Sequence, residues 1–113
     1  MEGIEKSATT VEYIQEQDFD KLSTSNGVFV FDFTASWCGP CKMIAPMMDR
    51  LAQEHNHHVK VVKVNLEENH NLAKRLGIRS IPSVMIYKDG SCVETIVGIA
   101  PYERFNAMVT ELL

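Results

Sequence analysis

Cysteine is scarce in this chain, which argues against a small fold that depends on several disulfides for its stability. Three cysteines occur among 113 residues, an odd and low number for such a framework. No apolar run approaches the roughly 20 residues that a membrane-spanning helix requires, and the first residues lack the apolar core of a signal peptide. We therefore expect no membrane partner and a reducing compartment, most simply the cytoplasm.

Basic residues are also in the minority. Lys and Arg number 11 against 15 Asp and Glu, giving a formal net charge of −4. Proteins that bind nucleic acid typically carry a basic excess, so we expect no nucleic-acid partner. The apolar fraction of 45% and charged fraction of 23% are ordinary for a globular protein. The length fits one monomeric domain, expected over residues 11–113 after a loosely ordered segment 1–10.

What the chain does contain is a close pair of cysteines in the segment Trp37-Cys38-Gly39-Pro40-Cys41-Lys42. The segment stands between an apolar run and a helical pattern. Cys38 and Cys41 can close a small disulfide ring and reopen it, and so short a loop adds little stability. The spacing predicts a redox motif. Two reduced structural thiols and a zinc site are the alternatives, but structural zinc takes four ligands and no second such pair exists.

The alternation of apolar patterns predicts the element order βαβαβαββα. Residues 28–33 are apolar on both alternating faces, as in a strand covered on both sides. Residues 39–54 carry an apolar stripe at helical spacing, and Asp89-Gly90 between two β-rich runs marks a hairpin. Strands are expected at 11–14, 28–33, 59–64, 83–87 and 92–97, and helices at 17–23, 39–54, 69–76 and from 102. This order indicates an α/β fold whose mixed central sheet has helices on both faces.

Together these motifs resemble those of the thioredoxin family over nearly everything after the first ten residues. The matching residues, in order and spacing, are Asp32-Phe33, Trp37-Cys38-Gly39-Pro40-Cys41-Lys42, Pro46, Lys63-Val64-Asn65, Gly77-Ile78-Arg79-Ser80-Ile81-Pro82-Ser83, Gly90 and Gly98. The resemblance implies a thioredoxin fold: three α/β/α layers with a mixed five-stranded sheet and four helices. It also implies a general protein-disulfide reductase without bound cofactor or metal. Its expected partners are disulfide-bearing proteins and an NADPH-dependent thioredoxin reductase that recharges it.

Four residues are expected to carry the chemistry. Cys38 is the expected nucleophile, because a helix N-terminus favours a thiolate. Cys41, one turn further in and expected to be more buried, is the resolving thiol. Asp32 is costly to ionise in an apolar strand and matches the family's proton acceptor, the alternative being a carboxylate bonded to backbone. Lys63 matches the lysine that approaches this carboxylate, the alternative being an ordinary solvated lysine.

An apolar rim around the dithiol is the expected substrate surface, since exposed apolar patches usually mark partner surfaces. The resemblance implies a cis Ile81–Pro82 bond that faces the dithiol and leaves the Ile81 backbone free to pair with an extended substrate. A trans turn proline and a core tryptophan are the alternatives. Gly98 is expected to allow close approach of another backbone. The expected rim comprises Trp37, Gly39, Pro40, Ile81, Pro82, Gly98 and Ile99.

Three further features have weaker interpretations. Cys92 is expected to be a small packing residue, with a regulatory or dimer-forming thiol as the alternative if its sulfur is exposed. Residues 55–58, His-Asn-His-His, suit a helix end followed by a solvated loop, with metal binding as the alternative. The run Glu67-Glu68-Asn69 is interpreted as a helix-start signal, with acidic residues near the positive end of the helix dipole.

Two other functions remain open at this point. One is a thiol oxidase or isomerase, although Gly39-Pro40 adds no charge beside Cys41 to stabilise a thiolate. The other is a structural binding subunit of a larger complex, which would use the same apolar rim. Replacing both Cys38 and Cys41 by serine would separate a redox role from a purely structural one.

Overall fold

The computed structural model describes residues 11–113, and its elements follow the predicted order. The expectation of a loosely ordered segment 1–10 lies outside the described residues. The strands are β1 (Glu12–Ile14), β2 (Val28–Thr34), β3 (Val59–Asn65), β4 (Ser83–Lys88) and β5 (Ser91–Val97), and the helices are α1 (Glu16–Ser23), α2 (Gly39–Glu54), α3 (His70–Leu76) and α4 (Tyr102–Leu112).

The five strands form one mixed sheet in the order β1-β3-β2-β4-β5. β3 runs parallel to both β1 and β2, whereas β4 is antiparallel to β2 and to β5. β2 is the central strand, and all seven of its residues are buried. The prediction of a strand covered on both faces is confirmed, because helices pack on each side of it.

Two apolar clusters hold these layers together. On one face, Ile44 of α2 and Phe105 of α4 join a cluster with strand residues of the sheet. On the other face, Phe19 of α1 packs edge-on against Phe31, with ring centroids 4.6 Å apart, in a cluster that includes Leu72 of α3. Full burial of each such side chain contributes roughly 1.5–3 kcal/mol relative to exposure. The predicted three-layer α/β/α arrangement with four helices is therefore confirmed.

The hairpin between β4 and β5 also forms where the sequence predicts it. Asp89 and Gly90 have φ values of 50° and 89°, the two positive values that a two-residue type I′ turn needs. The Asp89 carboxylate accepts a hydrogen bond of 2.7 Å from the amide of Gly27, which ties the turn to the loop before β2.

The end of β2 positions the dithiol segment. The chain leaves the sheet after Thr34, crosses a short loop and enters α2, with Cys38 as the N-cap residue. The carboxyl end of a strand next to a helix N-terminus is a common place for functional groups in α/β folds. Within residues 11–113, no helix combines the length and apolar character needed to cross a membrane.

Candidate active site

Cys38 and Cys41 are joined in a disulfide at the start of α2, with their Cα atoms 5.3 Å apart. The amide of Cys41 donates a hydrogen bond of 3.2 Å to the sulfur of Cys38. Pro40 lies in the first turn of α2, where a backbone N–H has no partner within the helix, so the missing N–H of proline costs no hydrogen bond. After reduction, this amide and the helix dipole favour negative charge on Cys38. The arrangement can therefore supply a nucleophilic thiolate and a second thiol beside it.

The two cysteines are equally buried, each with 4% of its surface exposed. The expectation that Cys41 would be the more buried residue is wrong for this disulfide form. Cys38 and Cys41 belong to one small buried cluster with Ala35, and the partly buried Ile81 packs against that cluster.

Asp32 is a carboxylic acid held inside the sheet. It is 1% exposed, and its Oδ1 has no hydrogen-bond partner among the described residues, so the alternative of a carboxylate bonded to backbone finds no support for this atom. The pKa of Asp32 is raised to about 7, first because burial disfavours the ion, with Asp49 adding to the rise and Lys63 opposing it. Asp32 can therefore exchange a proton near neutral pH.

A small cavity connects this carboxyl with the dithiol. Its volume is about 120 Å³, enough for water molecules, each of which takes ≈ 30 Å³ in the liquid. The cavity brings together three of the four residues expected to carry the chemistry. Its lining consists of Tyr13, Asp32, Thr34, Ala35, Ser36, Cys41, Lys42, Ala45 and Lys63.

Most of the expected rim residues are accessible. Trp37 is 71% exposed and Ile99 is 50% exposed, while Gly39 and Pro40 are exposed and Ile81 is partly buried. Trp37 and Ile81 line one shallow cavity of about 230 Å³ beside the dithiol. These apolar groups give the dithiol a surface that another protein can contact.

Pro82 is expected in the exposed rim, but the structure places it below the surface. The Ile81–Pro82 peptide bond is cis, but Pro82 itself is buried. It leads directly into β4, next to the central strand, and its carbonyl accepts a hydrogen bond of 2.8 Å from the amide of Gly98. Pro82 therefore lies beneath the rim, with Ile81 as the more accessible of the two.

The expected reason for Gly98 is also wrong. A Cβ atom at this position would meet nothing within 4 Å, so the contact between the Gly98 amide and the Pro82 carbonyl does not require the side chain to be absent. The φ of 85° at Gly98 instead lies in the left-handed region that favours glycine. The glycine is required by the turn of the chain after β5, next to Ile99.

Glu67 has a role that its sequence position did not indicate. Its Oε1 accepts hydrogen bonds from the Ser36 hydroxyl (2.8 Å) and amide (3.3 Å), and the Ser36 hydroxyl is the main reason why the pKa of Glu67 is lowered. The helix start itself is predicted correctly, because α3 begins at His70 with Asn69 as its N-cap, although no acid lies in the first turn of the helix. Through Ser36, Glu67 fixes the position of the loop before Trp37. No local sequence pattern indicates this long-range pairing of Ser36 with Glu67.

Two weaker candidates lie outside this site. Cys92 is exposed, so its packing interpretation is wrong, because β5 is an edge strand and this residue lies near its start. His55 follows α2, and its Nε2 lies 2.6 Å from Oδ1 of Asn106 in α4. Among residues 11–113, no group of three or more His, Cys, Asp or Glu side chains is placed to hold a metal ion.

Comparison with known proteins identifies the family. Residues 10–111 match the family model described as Thioredoxin. The chain is 47% identical to thioredoxin of Bacillus subtilis over 98 residues, 87% of this chain and 93% of that relative. It is 57% identical to thioredoxin 1 of Synechococcus elongatus over 80 residues, 71% of this chain and 74% of the relative.

Solved structures agree with the sequence relatives. A mutant thioredoxin from Halobacterium salinarum superposes with a TM-score of 0.84 at 30% identity, over 93% of this chain and 92% of that one. Thioredoxin of Malassezia sympodialis gives a TM-score of 0.82 at 32% identity, over 91% and 90%. The fold, the placement of the cysteine pair and these relatives agree, and the chain therefore belongs to the thioredoxin family of protein-disulfide oxidoreductases.

Proposed function

We propose that this protein is a general protein-disulfide reductase of the cytoplasm, recharged by an NADPH-dependent thioredoxin reductase. The observation that carries the proposal is the juxtaposition at the start of α2. A cysteine pair lies at a helix N-terminus, and one small cavity joins Cys41 to the buried acid Asp32. Nucleophile, resolving thiol and proton acceptor are thus supplied by the same region.

In the first step, the thiolate of Cys38 attacks one sulfur of a substrate disulfide. A new bond forms between Cys38 and that sulfur, the substrate S–S bond breaks, and the other substrate sulfur leaves as a thiolate that takes a proton from water. The helix N-terminus and the amide of Cys41, 3.2 Å from the Cys38 sulfur in the disulfide form, favour the attacking thiolate.

In the second step, Cys41 resolves the mixed disulfide. Its proton passes to Asp32, directly or through water in the cavity, and the resulting thiolate attacks the sulfur of Cys38. The Cys38–substrate bond breaks, the substrate sulfur leaves and is protonated, and Cys38 and Cys41 form the disulfide. A pKa of about 7 suits Asp32 to this transfer, since proton exchange is most effective when the pKa lies near the working pH. Lys63 tunes Asp32 by favouring its ionised form.

The balance of each cycle is two electrons and two protons. They pass from the Cys38/Cys41 dithiol to the substrate disulfide, which becomes two thiols. The reductase then returns two electrons from NADPH, with two protons, and so opens the Cys38–Cys41 bond. No bound cofactor or metal enters this cycle.

The substrate binds as an extended segment over the rim. The rim for this purpose consists of Trp37, Gly39, Pro40, Ile81, Gly98 and Ile99, supported from below by Pro82. The Ile81 backbone would pair with the substrate main chain, so that recognition depends little on substrate sequence. The exposed rings and aliphatic groups contribute apolar contact.

The test is NADPH-coupled reduction of insulin disulfides in the presence of a thioredoxin reductase, with Cys38→Ser as the matched control. We expect rapid loss of NADPH that disappears in the variant. No NADPH loss with the folded, pre-reduced protein would contradict the reductase proposal.

Two further measurements test the alternatives of a thiol oxidase or isomerase and of a structural binding subunit. The equilibrium of the Cys38/Cys41 pair with glutathione should favour the disulfide strongly, as expected of a reductant; a strongly oxidising equilibrium would favour an oxidase or isomerase. A variant with both cysteines replaced by serine should lose every redox activity, and retention of the biological function in that variant would favour a binding subunit.

A further inference from the structure

Tyr13 stands at the outer end of a row of side chains that leads to Asp32. In the sheet register, Tyr13 of β1 is the partner of Lys63 of β3, and Lys63 is the partner of Asp32 of β2. Register partners project from the same face of a sheet. The three side chains therefore follow one another across three strands, on a single face.

The ring of Tyr13 lies against the charge of Lys63. The Lys63 ammonium is 5.6 Å from the ring centroid, within the ≈ 6 Å over which an aromatic face attracts a cation. Tyr13 is 59% exposed, so core packing does not account for its place on a three-residue edge strand. The lysine chain is flexible and strongly hydrated at its end, and the ring gives it a preferred position.

The same cavity joins all of these groups. Tyr13, Lys63, Asp32 and Cys41 all line the space of about 120 Å³ beside the dithiol. The other charged groups near Asp32 come from α2. Lys42 lines the cavity, and Asp49, further along the helix and exposed, raises the pKa of Asp32. On its other side, Asp32 has the apolar Val84 of β4 as its register partner.

We propose that Tyr13 is a positioning residue, whose ring holds the Lys63 ammonium at the cavity that contains Asp32 and Cys41. The inference rests on the proposed function, in which Asp32 receives the proton of Cys41. Without the ring, the ammonium would spend more time in bulk water and less time beside the carboxyl. Tyr13 itself exchanges no proton and contacts no substrate in this proposal.

The experiment is a nuclear magnetic resonance titration of the Asp32 side-chain carboxyl in the oxidised full-length protein. Tyr13→Ile removes the ring and keeps a good strand former, and Tyr13→Phe is the matched control that keeps the aromatic face. An opposite charge nearby lowers a carboxyl pKa by ~1 or more. If half of that influence is lost, Tyr13→Ile raises the pKa of Asp32 by about 0.5, and Tyr13→Phe leaves it unchanged.

A second pair of variants, made in a protein that carries Lys63→Met, tests whether Tyr13 acts on the pKa of Asp32 through Lys63. In Lys63→Met, we expect Tyr13→Ile to have no further effect on the Asp32 titration. An unchanged titration in Tyr13→Ile, an equal change in the Lys63→Met background, or a change in Tyr13→Phe would each overturn the proposal. Urea unfolding of every variant verifies the fold. The titration needs neither substrate nor reductase, so its result is independent of whether the insulin assay supports the proposed function.

Discussion

Replacing Asp32 by asparagine should stabilise the oxidised protein at neutral and alkaline pH. The carboxyl has an ordinary pKa of 3.8 when the chain is unfolded and a pKa of about 7 in the folded protein. Between these values, the folded state binds more protons than the unfolded state, so the free energy of unfolding falls as the pH rises from about 4 to about 7. Asparagine has a similar shape and cannot ionise, so the variant should lack this loss.

The size of the effect follows from the two pKa values. A pKa difference of about 3 corresponds to about 4 kcal/mol, at 1.36 kcal/mol for each pKa unit. The stability of Asp32→Asn relative to the parent should therefore increase by about 4 kcal/mol between pH 4 and pH 8, with most of that increase already present at pH 6. The buried amide brings its own hydrogen-bonding cost, but that cost does not change over this pH range.

Urea unfolding at pH 4, 6 and 8 measures this difference. The oxidised forms are compared, so that ionisation of Cys38 and Cys41 contributes nothing. Glu68→Gln is the matched control, because it removes an exposed acid and should change stability by less than about 0.5 kcal/mol at every pH. A stability difference for Asp32→Asn that stays constant from pH 4 to pH 8 would refute the reasoning.

Two further predictions concern the hydrogen bond between Ser36 and Glu67, beside the dithiol, and the exposed thiol of Cys92. Ser36→Ala removes the hydroxyl that lowers the pKa of Glu67; this pKa should therefore rise toward its ordinary range in a carboxyl titration, and an unchanged titration would disagree with the observed hydrogen bond. In the oxidised, folded protein, Cys92 is exposed and should react with one equivalent of iodoacetamide. Cys92→Ser should abolish that reaction; labelling that persists would show that the Cys38–Cys41 disulfide is open.

The sequence predicts the type and order of the elements nearly completely because each element has its own local signal. The apolar run of β2, the helical stripe of α2 and the Asp89-Gly90 turn each depend on neighbouring residues only. Boundaries differ by a residue or so: α1 begins at Glu16 and α3 begins at His70. Differences of this size are expected, because helix ends fray and the terminal residue of a helix is not sharply defined.

The site is less predictable where residues distant in sequence meet. Cys38, Cys41 and Asp32 were identified from the motif and its family resemblance. The pairing of Ser36 with Glu67 spans 31 positions, and neither residue shows by itself that it has a partner. The burial of Pro82 and the exposure of Cys92 also depend on the position of their strands in the sheet, which local patterns do not determine.

Cys38 has a structural duty in addition to its reactivity. It is the N-cap residue of α2, and its sulfur accepts the amide of Cys41, as a serine or aspartate oxygen does in other helices. Loss of a capping side chain to alanine typically costs ~1 kcal/mol. Two inactive variants at this position should therefore differ in stability. Cys38→Ser removes the reactive sulfur but keeps a side chain that can cap the helix, whereas Cys38→Ala removes both the sulfur and the cap. Mixed disulfides with substrates should accumulate when Cys41 is changed, because they form on Cys38 and Cys41 resolves them; that change also leaves the capping sulfur in place.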